Sequence, residues 1–514
     1  MTTKLKIIKS VGIVSIITFF SRILGFLRDM VIASKFGAGL ITDAFFIAFM
    51  IPNLFRQLFG EGALSAAFIP VFSDYLVNKE KKDAWQLANL VINLLLLISI
   101  VITILGIIFA PYVVCLIAPG FSKNVDLAIL LTQVMFPFMI LICTAALLMG
   151  ILNACQHFSI SALAPVLLNI SMICSVYFIS PFFKEPILGL ALGVLLGGFL
   201  QVAVQIIPLL RKGYTYKFNL SLNHPGIKKI GNLMIPAVMG LAITQVNLVI
   251  SRSLASFLGT GSISALYYAN NLIWLPIALF GVSLGTVSFA MMSSQVAKED
   301  FSSLRETLIL SLRMLIMTTI PASIGLIVLG EPIITLLFQR NEFTLNDTIA
   351  TNIALFYYAL GIFAFASLRV ITPVFYAFKD TKTPLKTGAV AVICNLGLSI
   401  LLLPSLKHGG LALATTLSAS LNFVILMVFL KKKVGSLKDG HLLTLSVRTL
   451  VASLIMGITC FIIINNVKYS LWWQVLVSIF SGILVLSICY KLFKIKEMDS
   501  LIKKLATYVK SLKK

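Results

Sequence analysis

Charged side chains recur in a part of the chain, residues 21–72, that is apolar enough for two membrane-spanning helices. They are Arg22, Arg28, Asp29, Lys35, Asp43, Arg56 and Glu61. A charge at bilayer depth costs about 2.5–3.5 kcal/mol on insertion scales, so such residues usually face one another or a polar cavity. Because the planar fork of arginine matches phosphate geometry, the cluster indicates a binding site for an anionic group within the membrane.

Helical geometry places part of this charge on one side of the first predicted helix, residues 11–34. At 100° per residue, Arg22 and Asp29 lie about 20° apart, and Arg28 lies about 120° round from Arg22. Arg22 is about 16 Å from the start of the helix, too deep for its side chain to reach the headgroups, so we expect it to face a polar cavity. For Arg28 and Lys35, near the other end, snorkelling to the headgroups stays an open alternative.

The composition predicts a membrane protein. The 514 residues are 59% hydrophobic and only 11% charged, with a mean hydropathy of +1.03, whereas soluble domains are about 25% charged. Long uncharged runs occupy residues 87–122, 127–183, 186–210, 253–297, 387–406 and 469–490. Since a spanning helix needs about 20 apolar residues, several of these runs must hold two spans. We therefore predict an all-α, polytopic membrane protein.

The pattern of charge and polar residues disfavours several other functions. The net charge is +23, and the basic residues lie in the short connections between the apolar runs. This placement is typical of the loops that orient a membrane protein, and it fits that role better than nucleic-acid binding. The seven cysteines form no CxxC pair, and the four histidines are isolated, so we expect no metal site and no cofactor. No Ser/His/Asp set or phosphate-binding loop appears. A membrane glycosyltransferase or polymerase stays open, but arginines beside Asp29, Asp43 and Glu61 favour ionised carboxylates and so disfavour a general acid.

The uncharged runs divide into about fourteen candidate spans. They lie near residues 11–34, 41–66, 87–112, 127–152, 160–181, 187–210, 231–256, 264–292, 309–330, 350–372, 386–404, 409–430, 447–466 and 470–490. Alternate connections are rich in lysine and arginine, which predicts that both termini are cytoplasmic.

A weak internal duplication organises these spans. The segment SKFGAGLI from Ser34 matches SFLGTGSI from Ser256, and GLAL from Gly189 recurs from Gly410 at nearly the same offset. Each copy holds six spans, so we expect two six-helix lobes around a central cavity, residues 1–220 and 221–436. Residues 437–514 add a helix pair and a basic amphipathic tail, which lies on the anionic inner leaflet or is simply solvated.

Several motifs resemble the MurJ (MviN) family of bacterial flippases. They are SRILGFLRD (21–29), GAG (37–39), TDAFFIAF (42–49), IPNLFRQLFGEGALSAAFIPVF (51–72), LFQRNEF (337–343) and FYAFKDTKTP (375–384). The resemblance implies a fold like that of the MATE multidrug transporters, with an added terminal helix pair that helps to form a groove for a lipid tail. It also implies a transporter rather than an enzyme: a flippase that moves lipid II, the undecaprenyl-diphosphate-linked peptidoglycan precursor, to the outer leaflet by alternating access.

The resemblance also implies substrate-binding residues. Arg22, Arg28 and Arg56 match the family's cavity arginines, which bind the diphosphate of the substrate. Neighbouring polar positions are matched by Asp29, Asp43 and Asn53. The seventh and eighth spans contribute Arg252 and Asn271, although the family often has arginine at the second of these positions.

A cation site is the feature in which the chain departs most from that family. Some members bind sodium through an acid in the seventh helix and an Asn and an Asp in the eleventh. Here Ser251 and Ser399 replace the two acids, while Asn395 and Thr415 leave a weak set of neutral oxygens. We therefore expect flipping that depends on membrane potential but not on sodium.

The resemblance implies a setting as well. We expect a monomer in the bacterial cytoplasmic (inner) membrane, surrounded by phospholipids, in contact with lipid II and with the peptidoglycan-synthesis machinery, and without nucleic acid. Two alternatives stay open: an exporter of another polyprenyl-linked glycan, and a MATE-like multidrug exporter.

Overall fold

The computed structural model describes residues 3–57, 64–122, 124–221, 223–435, 441–467 and 470–495. For residues 3–13, 15, 65, 66, 236, 237, 239–241, 243 and 244 it describes the backbone only. All regular secondary structure in these ranges is helical. The predicted all-α class is therefore confirmed. Glu61 and the basic tail beyond residue 495 lie outside the described residues.

The chain divides into two compact units. Unit 1 comprises Met1–Ser264 and Arg340–Thr344. Its helices are α1 (Thr3–Phe36), α2 (Leu40–Phe55), α3 (Leu64–Asn78), α4 (Lys81–Ile108), α5 (Ala110–Ile117), α6 (Val125–Met135), α7 (Phe138–Ala154), α8 (Phe158–Phe178), α9 (Ile187–Arg211) and α10 (Pro225–Ala255).

Unit 2 comprises Ala265–Gln339 and Leu345–Lys514. Its helices are α11 (Ser262–Pro276, whose first three residues belong to unit 1), α12 (Ser283–Ala297), α13 (Phe301–Phe338), α14 (Leu345–Ala359), α15 (Ile362–Ala377), α16 (Lys382–Val434), α17 (His441–Asn466) and α18 (Leu471–Leu492). A π-helical turn, Ile277–Val282, joins α11 to α12 directly after Pro276. The predicted domain boundaries at residues 220 and 436 stay predictions.

Many of these helices are long and apolar enough to cross a membrane. Among the described residues there are nine such spans, if α6 with α7 and α11 with α12 are each counted as one, or ten if the bent pair α14–α15 forms one more. One of the nine, α16, contains two predicted spans, which a kink at Lys407 (φ 49°, ψ −131°) separates. The chain is thus a multi-pass membrane protein, and the number fourteen stays a prediction.

The predicted span 350–372 covers parts of two helices, since α14 and α15 meet at a bend of 47°. Hydroxyl groups from neighbouring helices bind the carbonyl oxygens at the end of α14: Ser323 Oγ donates to Ala359 O (2.7 Å) and Thr416 Oγ1 to Tyr357 O (2.8 Å). These bonds satisfy carbonyl groups that a continuing helix would otherwise use. Tertiary contacts therefore end α14 in a stretch that reads as one apolar run.

Small residues bring α8 and α9 together in unit 1. Gly189, Gly193 and Gly197 recur every four residues along α9. A Cβ on Gly193 would collide with the Ser175 side chain, and one on Gly197 would lie 2.6 Å from Leu168 Cδ1. This close packing of small residues is typical of membrane helices, and it fixes the position of α8, which contributes to the candidate site.

Glycines also allow close packing in unit 2. A Cβ on Gly281 would lie 2.8 Å from Ala366 Cα, and one on Gly285 would overlap the carbonyl oxygen of Arg369. The backbone of α15 is therefore held directly against the π turn and α12. On another side of unit 2, α17 and α18 pack on α13, where Tyr490 Oη donates a hydrogen bond to Met317 O (2.7 Å).

Candidate anion-binding site

Arg28 of α1 is held by a carboxylate and an amide. Its Nε and Nη2 both donate to Asp29 Oδ1, at 3.0 and 2.7 Å, and its Nη1 donates to Asn169 Oδ1 at 3.0 Å. Asn169 lies on α8, and its Nδ2 donates in turn to Ser21 O at 3.1 Å. The amide therefore ties two turns of α1 to α8 and fixes the orientation of the guanidinium.

The ion pair is largely removed from the surface. The side chains of Arg28 and Asp29 are 16% and 5% exposed, and Asn169 is buried. Charged groups removed from solvent need both a counter-charge and hydrogen bonds, which Asp29 and Asn169 supply to the guanidinium. Arg28 is therefore a fixed cation, rather than a side chain extended toward the headgroups.

Arg22 differs from Asp29, although both lie on nearly the same side of α1 by the helical count. Asp29 is buried, whereas Arg22 is exposed. An exposed guanidinium in the middle of a helix within the membrane is available to an anionic ligand. Of the residues predicted on α1, the structure thus joins Arg28 to Asp29 and leaves Arg22 accessible.

Arg56 follows the last residue of α2. Its Nε donates to Asn53 Oδ1 at 2.9 Å, so the predicted polar neighbour Asn53 orients this second arginine. The adjacent Gln57 accepts a hydrogen bond from Gln245 Nε2 of α10 (2.6 Å). Arg252 of α10 donates from Nη1 to Phe46 O at 3.2 Å. Within unit 1, α10 therefore contacts the backbone of α2 at Phe46 and the side chain of Gln57 just beyond the end of α2.

Asp43, in the first turn of α2, is held by two backbone N–H groups and one hydroxyl group. The carboxylate accepts hydrogen bonds from Gly261 N (2.7 Å), Ser264 N (2.8 Å) and Ser264 Oγ (2.6 Å). Gly261 has a left-handed backbone (φ +86°), and a Cβ there would overlap Ala38 O. Peptide N–H groups in the first turn of a helix are natural partners of a carboxylate. Asp43 therefore joins the start of α2 to the turn before Ser264.

The segment Arg340–Thr344 packs against the C-terminal end of α1. Glu342 N donates to Ser34 O (3.2 Å), and Asn341 Nδ2 donates to Ser34 Oγ (2.9 Å). Gly37, which also has a left-handed backbone (φ +69°), leaves no room for a Cβ beside Glu342 O. Two recognised motifs, GAG and LFQRNEF, thus meet at the α1–α2 turn.

A separate cavity of about 370 Å³ lies on another face of α2. Met50, Ile51, Leu54 and Phe55 line it from α2, together with residues of α4 and α5 and with Phe136, which follows α6. The helical count places these α2 residues roughly opposite Asn53 and Arg56. This cavity contains none of the predicted site residues, so it is not the candidate anion site.

Three of the side chains considered for a weak cation site take part in hydrogen bonds along α16. Asn395 and Ser399 are fully buried, and Ser399 Oγ donates to Asn395 Oδ1 at 3.1 Å. Thr415 Oγ1 donates to Leu411 O at 2.9 Å. Ser251 belongs to unit 1. The three α16 residues therefore offer neutral oxygens, as the sequence indicated.

Sequence reasoning missed two polar residues in apolar helices. Asn169 is a lone buried amide in α8, and its polarity within an apolar run was the available signal. Arg369 is an arginine in the middle of α15 of unit 2, whose Cζ lies 5.0 Å from the ring centroid of Trp274. Asn271, the predicted site residue of unit 2, lies three residues before Trp274 on α11.

Comparison with protein families gives these residues a context. The model of the family described as lipid II flippase MurJ matches residues 32–481, most of the chain. The chain belongs to the lipid II flippase MurJ family. The recognition from sequence motifs is therefore confirmed, and with it a transporter rather than an enzyme.

Individual MurJ relatives match over most of their length. The chain is 36% identical to a probable lipid II flippase MurJ of Vibrio cholerae over 436 residues, which cover 83% of each protein. It is 34% identical to the lipid II flippase MurJ of Burkholderia cenocepacia over 428 residues, 82% of this chain and 83% of that protein.

Solved structures agree with the fold. A lipid II flippase MurJ in an inward closed conformation matches with a TM-score of 0.81 and 30% identity, over 93% of this chain and 98% of that one. A multidrug resistance MATE family transporter in an inward-facing conformation matches with a TM-score of 0.70 and 15% identity, over 82% and 96%. At that identity the second match shows the fold alone, and the predicted MATE-like fold is confirmed.

Proposed function

We propose that this chain is a flippase that moves lipid II from the inner to the outer leaflet of the cytoplasmic membrane by alternating access. The observation that carries the proposal is the match to the lipid II flippase MurJ family over residues 32–481. The arginines of α1 and α2 support it, because a diphosphate is the part of this lipid that needs cations within the membrane.

We assign the diphosphate to Arg22, Arg28 and Arg56. Arg28 is oriented by Asp29 and Asn169, and Arg56 by Asn53, so little side-chain entropy is lost when a phosphate binds. Exposed Arg22 supplies a guanidinium that adapts to the ligand. A bound diphosphate would thus meet two fixed cations and one adjustable cation.

The remaining predicted residues have different roles in this account. Asp43 and Arg252 bind backbone groups within unit 1 and stabilise its helix ends, so we propose that they act on substrate through the position of α2. Asn271 of α11 is proposed as a contact for the polar headgroup in unit 2, since an amide can bind sugar and peptide groups.

The orientation and surroundings follow from the loops. We propose that both termini are cytoplasmic, that the protein acts as a monomer among membrane phospholipids, and that it works beside the peptidoglycan-synthesis machinery. Single cysteines near Lys81, Lys217 and Lys433 should react with an impermeant reagent only from the cytoplasm, and a cysteine near Lys184 only from outside. Reaction of the Lys81 and Lys184 sites from the same side would reject this orientation.

Complementation tests the function itself. A bacterial strain depleted of its own lipid II flippase should regain growth and shape when it expresses this chain, and should expose lipid II at its outer surface. Growth without lipid II exposure, or export of a different polyprenyl-linked glycan or of cationic drugs by the purified protein, would instead support one of the alternatives.

A further inference from the structure

Unit 2 contains an arginine and a tryptophan that contact each other within the membrane-spanning region. Arg369 lies on α15 and is exposed, and its guanidinium carbon is 5.0 Å from the centroid of the Trp274 ring on α11. Trp274 is itself 37% exposed. The described residues place no carboxylate within ion-pair distance of Arg369.

The depth of Arg369 excludes a simple interfacial role. It lies seven residues from the start of α15 and eight from the end, about 10 and 12 Å along the axis. Helical side chains lean toward the N-terminus of their helix. The Arg369 side chain therefore leans away from the end of α15 that Lys379 and Lys382 follow.

Close packing fixes the two helices that carry the pair. The carbonyl oxygen of Arg369 lies where a Cβ on Gly285 would be, and Ala366 lies against Gly281. Trp274 lies two residues before Pro276, after which the helix continues as a π turn. Neither backbone can shift without disturbing these contacts, so the pair is held in place.

The chemistry of the pair suits an anion. A cation–π contact stabilises the charge of a guanidinium but supplies no hydrogen-bond acceptor in the plane of its N–H groups. The N–H groups of Arg369 therefore keep the geometry for two parallel bonds to a phosphate. Inside a membrane such a charge needs an anionic partner, and this pair has none among the described side chains.

We propose that Arg369 is an additional binding residue for a lipid-linked phosphate, positioned by Trp274 and belonging to unit 2. The proposal rests on the proposed function, since the ligand it assigns is the diphosphate of the flipped lipid. Trp274 acts as a positioning residue: its ring holds the guanidinium in one orientation before the ligand arrives.

The test measures binding of undecaprenyl diphosphate to the purified full-length chain by native mass spectrometry. Arg369→Ala should weaken binding roughly tenfold, the effect expected when a hydrogen bond to a charged group is lost. Arg369→Lys should recover only part of the lost affinity, because an ammonium cannot form the two parallel hydrogen bonds that a guanidinium forms with one phosphate. Trp274→Leu should weaken binding less than Arg369→Ala and should abolish the advantage of arginine over lysine at position 369.

Arg448→Ala is the matched control, since Arg448 is an exposed arginine of unit 2 whose Nη1 donates to Phe493 O. It should bind undecaprenyl diphosphate as the unchanged protein does. Melting temperatures of all variants, measured in the same detergent, separate lost binding from lost folding. If Arg369→Ala melts at a lower temperature than the unchanged protein, Arg369→Lys, which keeps the charge, replaces it as the test variant.

Three outcomes would overturn the proposal. If Arg369→Ala binds normally while Arg28→Ala binds weakly, Arg369 is not a ligand contact and the proposed function still stands. If phosphatidylglycerol competes as well as undecaprenyl diphosphate, the pair holds a phospholipid headgroup instead. If the unchanged protein does not bind undecaprenyl diphosphate, the proposed function fails, and this inference fails with it.

Discussion

Arg28 and Arg369 occupy similar apolar surroundings in different ways. In unit 1, Arg28 is bound to the carboxylate of Asp29 and the amide of Asn169, and its side chain is 16% exposed. In unit 2, Arg369 lies on an indole ring and is exposed. The charge of Arg28 is balanced by its neighbour in sequence, whereas Arg369 has no counter-charge among the described side chains.

The difference indicates two uses of arginine. A paired guanidinium costs less to bury than an unpaired one and gives a rigid donor, but its attraction for a second anion is weaker because Asp29 repels that anion. A guanidinium on an aromatic ring attracts an anion more strongly and responds more to an electric field. Substitutions in unit 1 should therefore affect folding as well as binding, whereas those at Arg369 should affect binding alone.

The largest effect is expected from Arg28→Ala. The change leaves Asp29 buried without its partner, which should cost about 3–5 kcal/mol of stability, and it should abolish complementation. Adding Asp29→Asn should restore much of the stability, because the buried charge is then gone, but it should not restore lipid II exposure. Melting temperature and flipping are measured on the same preparations. A double variant that flips lipid II would show that Arg28 serves folding only.

The membrane potential should have the next largest effect. The exposed cations Arg22 and Arg369 would experience the field, at about 2.3 kcal/mol per charge per 100 mV. The neutral oxygens of Asn395, Ser399 and Thr415 offer sodium no charge to offset its dehydration. Collapse of the potential should therefore slow flipping severalfold or more, and replacement of sodium by choline at constant potential should not. Loss of flipping in choline would reveal a cation site elsewhere in the chain.

A smaller effect is expected from Asn169→Ala. The Asn169 amide joins Arg28 to Ser21 O, and because one of these bonds involves a charged group, its loss should cost about 1.5–3 kcal/mol. The guanidinium would keep its charge but lose its fixed orientation, so binding of undecaprenyl diphosphate should weaken and the preference for arginine over lysine at position 28 should fall. Ser161→Ala, at another buried polar position on α8, is the control. It should change neither the binding of undecaprenyl diphosphate nor the preference for arginine at position 28.

The smallest effect concerns an ion pair outside the membrane-spanning segments of unit 2. Burial would raise the pKa of Asp380, but hydrogen bonds from Lys433 Nζ (2.9 Å) and from Thr383 outweigh it and lower the pKa to about 2. The unfolded carboxyl has a pKa of about 3.9, so the stabilisation is present above that pH and is lost as the pH falls toward 2.

Because the Lys433 side chain is 37% exposed, solvent screens the pair and its contribution is about 0.2–1 kcal/mol. Asp380→Asn should therefore lower the melting temperature slightly at pH 7 and by less at pH 3. An equal difference at both pH values would mean that the lost packing of the side chain, rather than its charge, causes the change.

Sequence reasoning predicted local features of unit 1 better than long-range ones. The charges of α1, and the position of Asn53 three residues before Arg56, depend on residues a few positions apart, where helical spacing decides which side chains are neighbours. The partner of Arg28 on α8 lies 141 residues away, and the partners of Asp43 lie 218 and 221 residues away. Composition and periodicity carry no information on such distant contacts.

The same limit explains what was missed in unit 2. The bend between α14 and α15 depends on hydroxyl groups from α13 and α16 that take carbonyl bonds, so the apolar run alone predicts a continuous span. Arg369 stands alone in its run, and nothing in that run shows its contact with Trp274 on another helix. The family motifs were enough to predict the fold and the function, but the neighbours of each charged residue could be found only in the structure.

The most direct test of the account is lipid II flipping in vesicles that contain only the purified chain, with an inside-negative potential and no sodium. The account predicts movement of lipid II across the bilayer for the unchanged protein and for Arg448→Ala. It predicts none for the stabilised pair Arg28→Ala with Asp29→Asn, and slower movement for Arg369→Ala. Flipping by the Arg28 double variant at the unchanged rate would contradict the claim that arginines of unit 1 carry the diphosphate.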